Sequence, residues 1–256
     1  MLPADDTAGG TSPLGIYREG MDFNPVEQVI FERRSVRSFK KTPIPDGLIR
    51  RVLEAGRFAP SAGNSQPWRF VVITSPEIIA QMERDTLRVA NSMGWVLDYT
   101  RSWFRRTFLV HFTKLMTRFF PTKLHPVPFA AMLQMARGEL GVYYEAPAMI
   151  LLFKDMRGVA DTGLGVGIAG QNMVLAAHSL GLGSCWIGFV RLLTWSRNWR
   201  KWKARFGVEY PYELSEAIVL GYPHKREFRH VHREIQLVPW LTGGLDDEPR
   251  IERQGV

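Results

Sequence analysis

Two short runs of apolar residues, 68–74 (WRFVVIT) and 147–153 (PAMILLF), constrain this chain more than any other feature. Both are rich in β-branched or large apolar residues, and both lack the polar alternation of a half-exposed strand. Each reads as a strand buried in a core. Residues 184–189 and 216–222 read as further strands. Between them lie helical patterns. Residues 25–34 (PVEQVIFERR) form a first helix. Asp46 caps a second, in which Leu48, Ile49, Val52 and Leu53 recur at helical spacing. Pro76 suits the first turn of a third. Ala169, Met173, Ala176, Ala177 and Leu180 line one face of a long helix that Gly181 and Gly183 stop. With 256 residues, 45% of them hydrophobic, there is material for one sizeable core. Residues 1–20 read as a loose arm, 21–242 as one domain with an insertion at 95–137, and 243–256 as a polar tail.

A single cysteine, Cys185, rules out an intramolecular disulfide and any all-cysteine metal or iron–sulfur site. The first twenty residues lack the basic start and apolar stretch of a secretory signal. No long charge-free apolar run suggests a membrane span, so the expected location is the cytoplasm. The net charge of +8 favours anionic ligands or surfaces without choosing among them. No recognised nucleic-acid motif accompanies it, so no nucleic-acid partner is expected.

Chemistry concentrates in two segments. The first, 33–39 (RRSVRSF), places three arginines and two serines together at the end of a predicted helix. Guanidinium groups bind phosphate through paired, charge-assisted hydrogen bonds, and serine adds another donor. A solvated basic helix end has the same composition. The second, 59–68 (APSAGNSQPW), joins a helix to a strand with small and amide residues. Small residues let a flat ring approach the backbone, and amides can bond its polar edge. An ordinary turn also uses Pro, Ser, Gly and Asn.

Together and in this order, the two segments resemble the nitroreductase family of FMN enzymes. The resemblance continues at 170–178 (GQNMVLAAH), 180–189 (LGLGSCWIGF) and 217–223 (AIVLGYP). It implies an α+β fold, a mixed sheet flanked by helices, in an interlocked homodimer with two FMN sites at the interface. Carried across, it assigns Arg33, Ser35 and Arg37, with Arg34 beside them, to the FMN phosphate and ribityl chain. Pro60, Ser61, Ala62 and Asn64 match the loop that reaches the partner subunit's flavin. Trp186, Ile187 and Gly188 match the strand end beside the isoalloxazine. A late basic residue, Arg233 or else Arg229 or His232, would also meet the phosphate. The implied activity is NAD(P)H-dependent two-electron reduction of nitroaromatics, quinones or similar small electron-poor acceptors. Flavin N5 carries the chemistry, and no catalytic side chain is required. Reductive dehalogenation, or a membrane-surface or partner-binding flavoprotein with little turnover, are the alternative readings.

Three further signals compete for attention. Residues 165–170 (GVGIAG) spell GxGxxG, but no acid lies between Asp161 and Glu209 to hold a ribose, so helix packing is the expected role. His224, His230 and His232 sit among four cations, which favour an anion-facing strand over a metal, and no metal site is expected. Within 95–137, Phe104, Phe108, Phe112, Leu115 and Phe119 recur at helical spacing among basic residues. The first three Phe are candidate lid residues over a substrate. The same segment suits an anionic membrane surface, which would make the protein membrane-peripheral, or an extra packed helix.

Overall fold

The computed structural model describes residues 23–97, 102, 103, 107, 111, 115, 118, 131, 134, 135, 137–158, 160–225, 236–244 and 248–253. The chain divides into two compact units, one of Arg33–Arg226 and one of Met1–Glu32 with Glu227–Val256.

The larger unit is built on a four-stranded sheet. Its strands are β1 (Trp68–Ile73), β2 (Ala148–Asp155), β3 (Gly183–Ile187) and β4 (Tyr212–Gly221), in the order β1-β2-β4-β3. Each neighbouring pair is antiparallel. A parallel bridge from Ser35 to Ser184 adds a further segment outside β3 and makes the pairing mixed. The helices of this unit are α2 (Asp46–Arg57), α3 (Pro76–Leu97), α4 (Thr162–Ser179) and α5 (Trp199–Phe206); α1 (Pro25–Glu32) belongs to the smaller unit.

β2 explains the architecture. Ala148 to Phe153 are each at most 1% exposed. Its alternate residues enter different cores, because strand side chains point to opposite faces in turn. Met149, Leu151 and Phe153 join Ile79 and Met82 of α3, Val190, Leu193 and Trp202. Ala148, Ile150 and Leu152 join Ile49 and Val52 of α2 and Val166, Ala169, Met173 and Ala177 of α4. A continuous apolar run is therefore what a strand with helices on both faces requires. The expected α+β fold, a sheet flanked by helices, is observed.

Polar anchors fix α3 against one face. Glu83 accepts the backbone N–H groups of Val142 (2.6 Å) and Tyr143 (3.2 Å). The Thr86 hydroxyl lies 2.8 Å from that of Tyr143. Asp85, only 2% exposed, accepts from Asn198 Nδ2 and Trp202 Nε1 at 2.9 Å each, and from Arg88 at 2.7 Å. Burial alone would raise the Asp85 carboxyl. The hydrogen bonds from Asn198, Trp202 and Gln81 and the Arg88 cation outweigh it and hold the group below its ordinary value.

Local outcomes refine the sequence reading. The strand expected over 184–189 ends at Ile187, and Gly188–Trp195 forms a 3-10 segment whose Val190 and Leu193 are buried. β4 begins at Tyr212, earlier than expected, and carries a register shift opposite Leu152/Phe153. In the smaller unit, Asn24 accepts from the N–H groups of Val26 and Glu27 while Glu27 returns a bond to the Asn24 N–H, which is a capping box at the start of α1. There β5 (Leu237–Trp240) pairs with β6 (Arg250–Arg253), so the expected polar tail contains a strand. In the 95–137 segment, Trp103, Thr107, His111, Leu115 and Arg118 are helical and exposed. Phe104, Phe108, Phe112 and Phe119 lie outside the described residues. No helix among the described residues is long and apolar enough to cross a membrane.

Because the Asp85 carboxyl is lowered in the folded state, its contribution is present above the ordinary value of 3.8 and is lost as pH falls through the folded value. Asp85→Asn is expected to cost about 2–3 kcal/mol at pH 7 by urea unfolding. It should also flatten the decline in stability at acid pH that the lowered Asp85 carboxyl predicts for the wild-type protein. Parallel stability–pH curves for the two proteins would contradict this role.

Candidate functional site

The arginine segment is placed by backbone pairing. The Val36 N–H donates to the Ser184 carbonyl at 2.9 Å, and the Lys40 N–H donates to the Tyr222 carbonyl at 2.8 Å. Phe39 bridges Pro223. Val36 packs against Gly183, where an added Cβ would come within 2.8 Å of it. With Val36 turned inward, Ser35 and Arg37 are left exposed. Arg33 and Arg34 are half-buried, and Arg34 Nη1 donates to the Arg33 carbonyl at 2.9 Å.

Cys185 on β3 senses this grouping. Burial pushes its thiol up, while the Arg37 and Arg33 cations and the Ser35 hydroxyl pull it down. Burial likewise raises the Tyr144 phenol, and Arg37 opposes the rise. Arg33, Ser35 and Arg37 are thus gathered beside one strand, with Tyr144 facing Arg37. Tyr144 and the next residue, Glu145, both have positive φ (55° and 50°), a strained pair of the kind that collects at functional sites. Nothing in the sequence around Tyr144 marked it; only the tertiary fold brings it here.

Two residues along β3 lies the second predicted group. Trp186 is 36% exposed, Ile187 is buried and Gly188 is exposed. The Trp186 ring crosses α4 at Gly170, where a Cβ would lie 2.1 Å from it. Its Nε1–H donates to Glu216 Oε2 at 3.2 Å. Burial raises the Glu216 carboxyl, and the Trp186 bond and Arg191 only partly oppose this. Glu216 escaped the sequence reading, although a lone acid opening the apolar run 216–222 was a signal.

The third group stands elsewhere. Ala62–Asn64 form a 3-10 turn, and the Ser61 hydroxyl accepts the Gln66 N–H at 2.9 Å. Gly63, Asn64 and Gln66 all have positive φ (59°, 53° and 45°). Pro60, Ala62 and Asn64 are exposed. The loop leads into β1 and borders a small cleft with Asp161, Thr162, Leu164 and Ile168 at the start of α4. β1 and β3 are the opposite edges of the sheet. Three interstrand steps separate them, about 14 Å. One chain therefore joins the 33–37 and 186–188 groups at one edge and holds the 60–64 loop toward the other.

The GxGxxG string has a packing role. It lies inside α4, with Gly165 against the Pro67 ring and Gly170 against Trp186. Asp161 caps that helix, accepting from the N–H groups of Gly163 (2.8 Å) and Leu164 (3.3 Å), so a carboxylate already occupies the place a phosphate would take. Among the described residues no group of three His, Cys, Asp or Glu is placed to hold a metal. Arg233, Arg229 and His232 lie outside the described residues, as do the candidate lid residues.

The site therefore offers exposed guanidinium and hydroxyl donors beside a strand end with an aromatic ring and an open glycine backbone. Comparisons with known proteins show the family and the fold. A 45-residue stretch, 18% of this chain, is 56% identical to an NADH dehydrogenase of Thermus thermophilus and spans 22% of that protein. Over 183 residues the chain is 27% identical to a nitrobenzene nitroreductase of Ectopseudomonas oleovorans, covering 62% of this chain and 72% of the relative. A crystal structure of a nitroreductase with bound FMN from Desulfitobacterium hafniense superposes with a TM-score of 0.62 at 25% identity, covering 82% of this chain and 95% of the other. The model of the Nitroreductase family matches residues 30–222, and the chain belongs to that family.

Proposed function

We propose that this protein is an FMN-dependent oxidoreductase that takes electrons from NAD(P)H and reduces nitroaromatic, quinone or related electron-poor compounds. The observation that carries the reading is the Val36–Ser184 pairing, which seats Arg33, Ser35 and Arg37 beside the Trp186–Gly188 strand end. The bound FMN of the Desulfitobacterium structure and the activities named for the two relatives support it.

The residues fit the cofactor by their chemistry. A phosphate dianion needs fixed cations and hydroxyl donors, and Arg33, Ser35 and Arg37 supply them on an edge held by backbone hydrogen bonds. Arg34 and Arg233 join this group by resemblance. A flat ring needs open backbone, and Gly188 supplies it next to Ile187. When bound, FMN supplies hydride transfer at N5 between nicotinamide and acceptor. Arg33, Ser35 and Arg37 would hold the phosphate, the open backbone at Gly188 would admit the ring, and Trp186 would stand beside it.

The site is completed by a second copy. Pro60, Ser61, Ala62 and Asn64 lie toward the sheet edge opposite the arginines, which supports their serving a partner's cofactor. α4 has almost no polar face, a pattern expected of a helix buried all round, yet Leu164 is 63% exposed in the single chain. A homodimer that covers α4 accounts for both.

Purified protein should be yellow, release FMN on denaturation, and oxidise NADH or NADPH in the presence of a nitroaromatic or quinone. Halophenols assayed alongside test the dehalogenase alternative. A colourless protein that takes up no added FMN would sink the proposal. Arg37→Ala should weaken FMN binding about tenfold or more, the scale of one lost charge-assisted hydrogen bond. Equilibrium dialysis measures this, and unchanged affinity would remove Arg37 from the phosphate site.

A further inference from the structure

Glu216 is an acid at the end of an otherwise apolar row. Ala217 to Gly221 are buried, and Glu216 precedes them half-buried. It pairs with Leu152 of β2 and shares the face of Trp186 and Ile218, the face that α4 covers. Its Oε2 accepts the Trp186 indole N–H at 3.2 Å. The indole cannot swing toward α4, because Gly170 already approaches it too closely to admit a Cβ. The same Oε2 would lie 3.2 Å from a Cβ on residue 188. The carboxyl therefore overhangs the Gly188 backbone, at the strand end assigned above to the flavin ring.

We propose that Glu216 holds the proton that accompanies reduction of the acceptor at this site, with Trp186 as its positioning partner. This rests on the flavin reading above. Reduction of a quinone to its hydroquinone requires a hydride and a proton; reduction of a nitro group to a nitroso group and water requires the same. The hydride originates from the reduced nicotinamide. The proton leaves the neutral Glu216 carboxyl as its O–H bond breaks, and it joins an oxygen of the acceptor. The carboxylate then regains a proton from water. An indole N–H can only donate, so Trp186 binds Oε2 in both states and leaves Oε1 to carry the proton. That bond strengthens when the carboxyl becomes charged, which favours release.

The surroundings suit a group that must be neutral part of the time. Burial raises the carboxyl from its ordinary value, while Trp186 and the Arg191 cation restrain the rise. Leu152, opposite it on β2, and Gly188, beneath it, carry no titrating group.

Glu216→Gln tests this, since the amide keeps the size and can accept from Trp186 but holds no titrating proton. In FMN-loaded protein, rapid mixing separates reduction by NAD(P)H from reoxidation by benzoquinone. The variant should slow reoxidation about a hundredfold and lose its pH dependence, while reduction changes little. In cofactor-free wild-type protein, tryptophan fluorescence against pH should show an inflection above the ordinary glutamate value of 4.5 that the variant lacks. Loaded variant protein that reoxidises at the wild-type rate with the wild-type pH dependence would overturn the role of Glu216 alone. Protein that takes up no flavin would overturn the flavin reading and this proposal with it.

Discussion

Six consecutive residues of β2, Ala148 to Phe153, are removed from water on both faces, and the two helical layers are built against them. Their alternation sends one set of side chains to α3 and α5 and the other to α2 and α4. Full burial of one such side chain contributes roughly 1.5–3 kcal/mol, so this strand anchors both cores at once. It also forces polar function outward. With both faces covered, only the edges and ends of the sheet remain for binding an anion or a flat ring.

The site follows from that restriction. The edge of β3 would present unpaired backbone groups. The 33–39 segment covers part of it through Val36 and so turns Ser35 and Arg37 outward. The end of β3 carries Trp186, Ile187 and Gly188, and the neighbouring β4 brings Glu216 under the indole. At the other edge, the run into β1 holds the strained 61–66 turn. Sheet order thus separates the 33–37 and 60–64 groups on one chain, and that separation is what supports the proposal of a second copy completing the site.

Much of this was legible in the sequence where the signal is local. β2 was readable because burial on both faces removes polar residues from the run; β1 was readable from its β-branched and aromatic residues, but it lies at the sheet edge and is only partly buried, with Arg69 and Val72 exposed. The apolar spacing after Asp46 marked α2, although Asp46 is its first residue and not its cap: Pro45 is the N-cap, without a side-chain hydrogen bond. Arg33–Arg37 and Pro60–Asn64 stood out because each is a local run of unusual composition, clustered cations and hydroxyls in one and small and amide residues in the other. The strand order β1-β2-β4-β3 was not readable, since register depends on pairing between distant segments. α5 was obscured by its cations, although Trp199, Trp202 and Phe206 recur at helical spacing. Glu216 and Tyr144 gain meaning only from neighbours across strands. GxGxxG was correctly set aside as packing, and the structure names its partners as Pro67 and Trp186.

We propose that each FMN site joins the arginine edge of one chain to the 60–64 loop of another. A mixed dimer tests it most directly, with one chain carrying Arg37→Ala and the other Ser61→Ala and Asn64→Ala. If sites form between chains, one site of the mixed dimer combines both defects and the other is intact. The prediction is tight binding of one FMN per mixed dimer, although each parent homodimer binds weakly. Weak binding at both sites of the mixed dimer would contradict the account, because it would place both groups of each site on the same chain.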